Sequence, residues 1–554
     1  MTKITAMIGG PLAGIKNASR MQEDEMNSVA YQAGSLSKKK AVFLTASLVS
    51  SLIMLDSNIV AVSLPAIGRS LAASFTDIQW VISAYVLTYA ALLLATGNYA
   101  DLHGRRKAML IGLVVFALSS AACGGATSAL VLNLARGVQG VGGALLLTAS
   151  LAIISHEFTG EEQASAFAFW GASLGIALAI GPIIGGTITN SFGWRWVFLV
   201  NLPLCALLIG ATLKLVAESR DPDAKQLDFR GIVTFSLGLG LLIWALIDGN
   251  DDGWTSPGIL TRLVVAGLLF TVFVIAELRQ ARPMVDFHLF EHRTFVGAVL
   301  AMIGYGAGAQ VMVFFLPLFL QNAYGYAPIA AGVAMLPFAL PMVLAPRVTS
   351  GLTSRYSGRA ILTAGLAITV VGDLLFWFVA RAQLSYSAFV IGMLVAGCGA
   401  GLLNGQTVKV LGGAVPPDRA GMASGLASTT RFIGILVSVA GMGAALANIV
   451  HHAFGTAVMA AGLDQATAAA AAKRVTAGDL SGLLGDVPAA VRSMLHMAGL
   501  ASFAAGFAAA SLLAAIIAII SCVLTFLLVG ARDTAPAGGQ MRRPCKLVDC
   551  RDPL

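Results

Sequence analysis

Charge is what this sequence has least of. Of its 554 residues only 11% are Asp, Glu, Lys or Arg, while 57% are hydrophobic. A water-soluble domain carries roughly a quarter charged residues, so this deficit excludes an ordinary soluble fold and points to lipid as the solvent. The motifs of common enzymes are missing as well. There is no GxxxxGK[ST] phosphate loop and no HExxH zinc helix. His451 and His452 form an isolated pair without clustered acids or cysteines, which argues against a metal site. The six cysteines fall inside apolar stretches (Cys123, Cys205, Cys398, Cys522) or in the C-terminal tail (Cys545, Cys550), and free thiols are expected. No basic patch interleaved with aromatics appears, so the formal charge of +8 is not a nucleic-acid footprint. The first forty residues are polar, and the first apolar stretch is too long for a signal-peptide core, so no cleavable signal is expected.

What is present is apolar sequence in stretches of about twenty residues, the length at which a helix crosses a hydrocarbon core. About fourteen occur, near 41–64, 78–97, 108–126, 129–154, 164–189, 196–217, 229–248, 258–277, 294–320, 329–349, 359–380, 386–411, 420–448 and 503–530. Barrel strands would be about ten residues long and would alternate in polarity, so an all-α polytopic membrane protein is predicted. Positive charge sets its orientation. With the N-terminus inside, Lys38 to Lys40, Arg105 to Lys107, Arg220, Lys225, Arg279, Arg282, Arg355, Arg359, Lys409 and the basic tail are all cytoplasmic. The outer side keeps only Arg69, Arg195, Arg262, Arg381, Lys473, Arg474 and Arg492. The positive-inside rule therefore places both termini in the cytoplasm.

The chain repeats internally. Gly97-Asn-Tyr-Ala-Asp-Leu-His-Gly104-Arg105 follows the second stretch, and Gly351-Leu-Thr-Ser-Arg-Tyr-Ser-Gly358-Arg359 follows the tenth, with the same spacing between glycines. A weaker echo links the surroundings of Glu161 and Asp418. Two parallel six-helix halves with two extra spans between them fit both echoes, a plan that places a substrate site at the repeat interface. The expected organisation is a tail at 1–40, a bundle at 41–217, two added spans within 218–282, a second bundle at 283–530 and a tail at 531–554. A non-spanning, partly helical outer loop is expected over 450–502.

Charges inside spans are the residues most suggestive of chemistry, because each costs roughly 2.5–3.5 kcal/mol at the bilayer centre. Asp56 lies about fifteen residues into the first span, on the order of 22 Å from its inner end. It is the candidate proton carrier, with Arg136 and Gln139 in the fourth span, Asp373 in the eleventh and Arg431 in the thirteenth as coupling or substrate residues. Two alternatives stand beside this: Asp56 and Arg136 as a purely structural ion pair, and Asp373 meeting Arg381 near the outer end. Gln310, Asn404 and Gln406, with Tyr85, Tyr89, Trp170, Tyr305 and Phe314, are candidate cavity-lining groups. Gly97, Asp101, Gly104, Arg105 and Arg106 could form charge-assisted bonds in one conformation and release them in another. The second copy carries Arg355 where the first has Asp101, so the two loops should differ electrostatically. In the fifth span, Gly171, Gly175, Gly181, Gly185 and Gly186 surround Pro182, a pattern suited to close helix packing and a kink.

These residues together resemble the major facilitator superfamily, in its fourteen-spanner drug:proton antiporter branch of the EmrB/QacA type. Leu55-Asp-Ser-Asn-Ile-Val-Ala-Val-Ser-Leu-Pro65 is similar to the branch's first-helix motif LDxTIVNVALP, with Asn58 and Ala61 in place of its Thr and Asn. Gly97 to Arg106 resembles the superfamily's loop motif, Arg136 to Gly140 its fourth-helix RxxQG, and Gly171 to Gly186 the fifth-helix antiporter motif. Trp194 to Pro203 and Phe315 to Gln321 are similar to branch-typical stretches. The resemblance covers about residues 41–530. It implies alternating access, two bundles related by a pseudo-two-fold axis, and proton antiport exporting amphipathic, chiefly cationic, compounds across a bacterial plasma membrane. It also implies coupling at Asp56 and Arg136, a cytoplasmic gate at Asp101, and no cofactor beyond the proton gradient. Lipid is a partner by necessity, and a periplasmic adaptor protein is compatible with the branch. The competing readings are a dedicated exporter of one metabolite, antibiotic, siderophore or lipid, an uptake symporter, a channel, and a non-transporting receptor.

Overall fold

Fourteen helices in the computed structural model are long and apolar enough to cross a membrane. It describes residues 9–158, 160–221, 228–280, 285–415, 420–461, 464–487, 489–531 and 534. The spans are α1 (Lys39–Leu71), α2 (Phe75–His103), α3 (Arg105–Gly124), α4 (Ala129–Glu157), α5 (Ser165–Ser191), α6 (Arg195–Leu215) and α7 (Phe229–Asp252). They continue as α8 (Pro257–Arg279), α9 (Arg293–Asn322), α10 (Pro328–Ala345), α11 (Gly358–Arg381), α12 (Tyr386–Gly413), α13 (Gly425–Ala460) and α14 (Val491–Leu528). No strand occurs among the described residues.

Local chemistry starts these helices where the chain re-enters the apolar layer. Ser74 and Asp77 form a reciprocal capping box at α2, and Ser128, Asp228, Ser256 and Ser357 cap α4, α7, α8 and α11. Each cap satisfies a backbone donor that neither lipid nor the helix itself could satisfy. Hydroxyls inside spans bond back to their own helix, as Thr45 does to the Ala41 carbonyl at 2.8 Å and Ser63 to Ile59 at 3.0 Å. Leu118, Leu134, Leu207, Val264, Leu268 and Leu527 are exposed, as side chains facing lipid should be.

The two halves pack alike. In the first, α2 lies against α4, α3 against α4 and α1 against α5. In the second, α10 lies against α12, α11 against α12 and α9 against α13. The added pair α7 and α8 pack on one another, and α7 also touches both α2 and α13. The fourteen-span, two-bundle expectation therefore holds among the described residues.

Two boundaries differ from expectation. The helix of α13 runs to Ala460 and that of α14 begins at Ala489, so the predicted 450–502 loop contracts to 461–488. Residues 450–460 and 489–502 mix apolar with polar side chains, which lowers their hydropathy without stopping a helix. The remaining segment carries two short helices, Gln465–Thr476 and Leu480–Asp486. It folds back on the chain: Arg69 donates to the Gly478 carbonyl at 3.2 Å, and Lys473 lies 3.9 Å from Asp251.

The halves meet along α5 with α10, α2 with α13 and α1 with α9. At the end bearing the 72–74 turn all three are tight. Gln79 Nε2 donates to the Val439 carbonyl at 3.0 Å, and Gln321 Nε2 to Val62 at 2.8 Å. A Cβ at Gly186 would run into the Pro328 carbonyl, and one at Gly332 into that of Pro182. Toward the Gly104 end the α5–α10 seam loosens. Gly175 would meet Val343 only at 3.6 Å, and Gly171 would meet nothing within 4 Å. The α2–α13 seam stays in contact as far as Leu94 and Gly425.

Candidate functional site

Asp56 sits in the middle of α1 with its side chain fully buried, where a bare carboxylate could not persist. Four other helices supply its surroundings. From α4, Arg136 Nη1 donates to Asp56 Oδ2 at 2.7 Å. One turn along, Gln139 Nε2 donates to Oδ1 at 3.0 Å. From α6, Asn201 Nδ2 donates to the same oxygen at 2.7 Å. Ser120 on α3 accepts from both amides, at 2.9 and 3.3 Å. Arg136 is tied down further by the Gln139 carbonyl oxygen at 2.7 Å and the Val81 carbonyl at 3.0 Å. Its guanidinium stacks 4.1 Å from the Tyr85 ring of α2. The spacing of Arg136 and Gln139 puts both on one face of α4. Gly140 lets that face approach α2, since a Cβ there would collide with the Tyr85 carbonyl. The result is a closed, hydrogen-bonded charge pair inside the first half. Asp56, Arg136 and Gln139 were legible from their motifs; Asn201 and Ser120 were not, because a neutral polar residue in a span carries no charge penalty to flag it.

Asp373 and Arg431 do not join this network. Asp373 is buried on α11, with both carboxylate oxygens lacking a hydrogen-bond partner among the described residues. It faces Gly308 in a π-helical turn of α9, Tyr305–Gln310. The anticipated meeting with Arg381 does not occur: Arg381 is exposed at the helix end. Arg431 lies in the α2–α13 seam, its guanidinium 4.8 Å from the Phe432 ring.

The aromatic candidates divide. Tyr85 stacks on Tyr89 at 5.9 Å, and Tyr89 meets Phe432 edge-on at 4.6 Å, which carries a line of rings from one half into the other. Tyr305 is fully buried, Phe314 nearly so, and the Gln310 carbonyl oxygen is buried without a partner among the described residues. Trp170 contacts Phe167 at 6.2 Å, its indole N–H without a partner among those residues. Asn404 is half-buried on α12. Gln406 is buried and packs at the α11–α12 seam against Gly358, where a Cβ would stand 3.1 Å from its Nε2.

The 97–107 loop is built as expected in part. Asp101 Oδ1 accepts from Arg105 Nε and Nη2 at 3.0 and 2.9 Å. Gly104 holds φ +112°, a conformation that favours glycine, with Glu218 so close that a Cβ would clash at 2.5 Å. Glu218 is the unforeseen member. Its oxygens accept the Arg106 and Lys107 backbone N–H groups at 3.1 and 3.2 Å, placing a carboxylate on the α3 N-terminus. Arg106 Nη2 donates to the Leu213 carbonyl at 2.7 Å. The loop motif alone could not reveal a partner more than a hundred residues away. In the second copy Arg355 is exposed, while Arg359 stacks 4.1 Å from Phe526. In the fifth-helix motif, Gly181 and Gly185 face α1, where Cβ atoms would lie 2.6 Å from Asn58 and 2.7 Å from Ile59. Gly186 and Pro182 face α10 of the other half.

Fold and site together define a helical membrane transporter built from two similar halves. The Major Facilitator Superfamily profile matches residues 46–439, and the chain belongs to that superfamily, in its drug-efflux branch. It is 36% identical over 397 residues to the multidrug resistance protein Stp of Mycobacterium tuberculosis, covering 72% of this chain and 74% of that one. It is 32% identical over 393 residues to the methylenomycin A resistance protein of Streptomyces coelicolor, covering 71% and 82%. The fold matches a bacterial homologue of the human lysosomal transporter Spinster, in an inward-facing and occupied conformation. That match has a TM-score of 0.60 at 18% identity and covers 89% of this chain and 97% of that one.

Proposed function

We propose that this chain is a proton-coupled antiporter that exports amphipathic compounds across a bacterial plasma membrane by alternating access, using no cofactor beyond the proton gradient. The observation that carries the reading is the Asp56–Arg136 pair, joined at 2.7 Å in the interior of one half and closed by Asn201 and Gln139. A proton arriving on Asp56 removes the charge that holds Arg136 and weakens three bonds that tie α1 to α4 and α6. Such a change biases how the helices of that half pack, and hence the angle between halves. The positive-inside rule assigns the Gly104 end to the cytoplasm. The seams are then closed on the outside, and the α5–α10 seam parts toward the cytoplasm at Gly171. Each inward proton supplies about 2.3 kcal/mol per 100 mV and about 1.4 kcal/mol per pH unit, enough for one or two protons to sustain ratios of ten to several thousand.

The names of relatives support both a multidrug range and a narrow one, since one is a multidrug resistance protein and another a methylenomycin A resistance protein. A dedicated antibiotic exporter is therefore the second reading. Inverted membrane vesicles containing the full chain test the proposal. Ethidium and structurally unrelated dyes should accumulate when the lumen is acidified and leak out when an ionophore collapses the gradient. Accumulation that survives the ionophore would contradict proton coupling, and accumulation of one compound alone would select the dedicated exporter.

A further inference from the structure

The two intramembrane arginines are treated very differently. Arg136 has a carboxylate, an amide oxygen and a backbone carbonyl. Arg431 has no hydrogen bond and no ion pair among the described residues; its Nε is buried without a partner there, and its guanidinium lies 4.8 Å from the Phe432 ring. The residue as a whole is only half-buried.

Polar groups without partners gather around it. Tyr89 on α2 and Tyr305 on α9 both lie within electrostatic range of Arg431, are 1% and 0% exposed, and have hydroxyls with no hydrogen-bond partner among the described residues. The placement of Tyr305 is built in. The π-helical turn begins at that residue, and the next, Gly306, packs directly on the Arg431 carbonyl, an approach a side chain would block. Tyr89 comes from the opposite half, so the cluster is assembled from both. A line of rings (Tyr85, Tyr89, Phe432) runs from the Arg136 guanidinium to that of Arg431. Buried donors with nothing to donate to are costly, and a guanidinium without an anion more so.

We infer that Arg431, with the hydroxyls of Tyr89 and Tyr305, forms a subsite for the carboxylate of an aromatic acid whose ring stacks against Phe432. The inference rests on the transporter reading and deepens it. The intramembrane carboxylate that would favour cations, Asp56, is already occupied by Arg136, Gln139 and Asn201, whereas Arg431 is a cation with free donors at the half interface. A guanidinium and two phenols supply the kind of donors that a carboxylate accepts.

The test is binding of two fluorescent probes matched in shape and opposite in charge, 9-anthracenecarboxylate and 9-anthracenemethylammonium, to the full chain in lipid nanodiscs. The acid should bind tighter than the amine. Arg431→Gln should weaken the acid about tenfold or more while leaving the amine unchanged or tighter. Tyr305→Phe, which removes one hydroxyl and keeps the ring, should weaken the acid about threefold, and it carries the test if the arginine variant does not fold. Equal loss of both probes in Arg431→Gln, equal binding of both by the unaltered chain, or acid affinity untouched in both variants overturns the subsite. Transport is read separately in vesicles. If the acid binds as described but neither probe exchanges with protons, the subsite stands and the antiporter reading fails. If the amine exchanges with protons and the acid does not bind, the subsite fails and the antiporter reading stands.

Discussion

Asp56 and Arg136 depend on each other to different degrees, and substitutions should expose the asymmetry. Removing Arg136 leaves a carboxylate inside an apolar bundle with two amide donors only. Breaking a buried pair from one side costs about 3–5 kcal/mol, so Arg136→Ala should show a markedly lower thermal unfolding temperature in detergent. Asp56→Asn keeps the shape and an acceptor oxygen for Arg136 but removes its anion and turns an NH2 toward the Gln139 and Asn201 amides, so it should also lose stability, though less than Arg136→Ala, which empties a buried site as well. Asn201→Ala removes one bond to a charged acceptor, about 1.5–3 kcal/mol, and should be the mildest of the three. The residue scale is also where the sequence spoke most clearly and then stopped. A charge in an apolar span advertises itself by its cost, which is why Asp56 and Arg136 could be read. Asn201, Ser120 and Glu218 act through partners set by tertiary folding, and Gln406, equally polar, turns into a helix seam.

Among the elements, α5 makes the sharpest prediction because its glycines are not equivalent. Gly186 presses on the Pro328 carbonyl across the half interface, while Gly171 faces open space. Gly186→Leu should prevent closure at that end and markedly lower the thermal unfolding temperature, whereas Gly171→Leu should leave that temperature unchanged. Equal tolerance of both substitutions would mean the seam does not close as described. At the α2–α3 turn, Gly104→Ala meets both a positive φ and the Glu218 carboxylate. It should cost more than about 1 kcal/mol in stability, and Glu218→Ala should lose the anchoring of the α3 N-terminus, about 0.3–1 kcal/mol. Span number, order and repeat were legible here because hydrophobic length is a strong signal. The C-terminal end of α13 and the N-terminal end of α14 were not, since helices of 41 and 40 residues exceed the roughly 30 Å apolar layer and need no continuous hydrophobicity along their whole length.

At the scale of the whole molecule, the halves are fastened at one end by backbone-directed amides and close glycine contacts, and the 461–488 segment adds Arg69 to Gly478 and Lys473 to Asp251. Alternating access requires these contacts to part while the other end draws together. Spin labels at Ser128 and Gln383, both exposed at the end away from Gly104 and on opposite halves, should move apart on adding substrate and acid. Labels at Lys107 and Arg355, exposed at the other end, should approach. Distances that change together in sign, or not at all, would contradict a rocking exchange between halves.

The most direct test of the account is proton movement driven by substrate in liposomes reconstituted with the purified chain, followed with an enclosed pH-sensitive dye. Adding an amphipathic compound to vesicles with an imposed pH gradient should discharge that gradient through the unaltered protein. It should leave the gradient intact through Asp56→Asn, although that variant is folded and binds the compound. Discharge at the same rate by Asp56→Asn, or substrate crossing with no proton movement in either protein, would contradict the central claim that Asp56 carries the coupled proton.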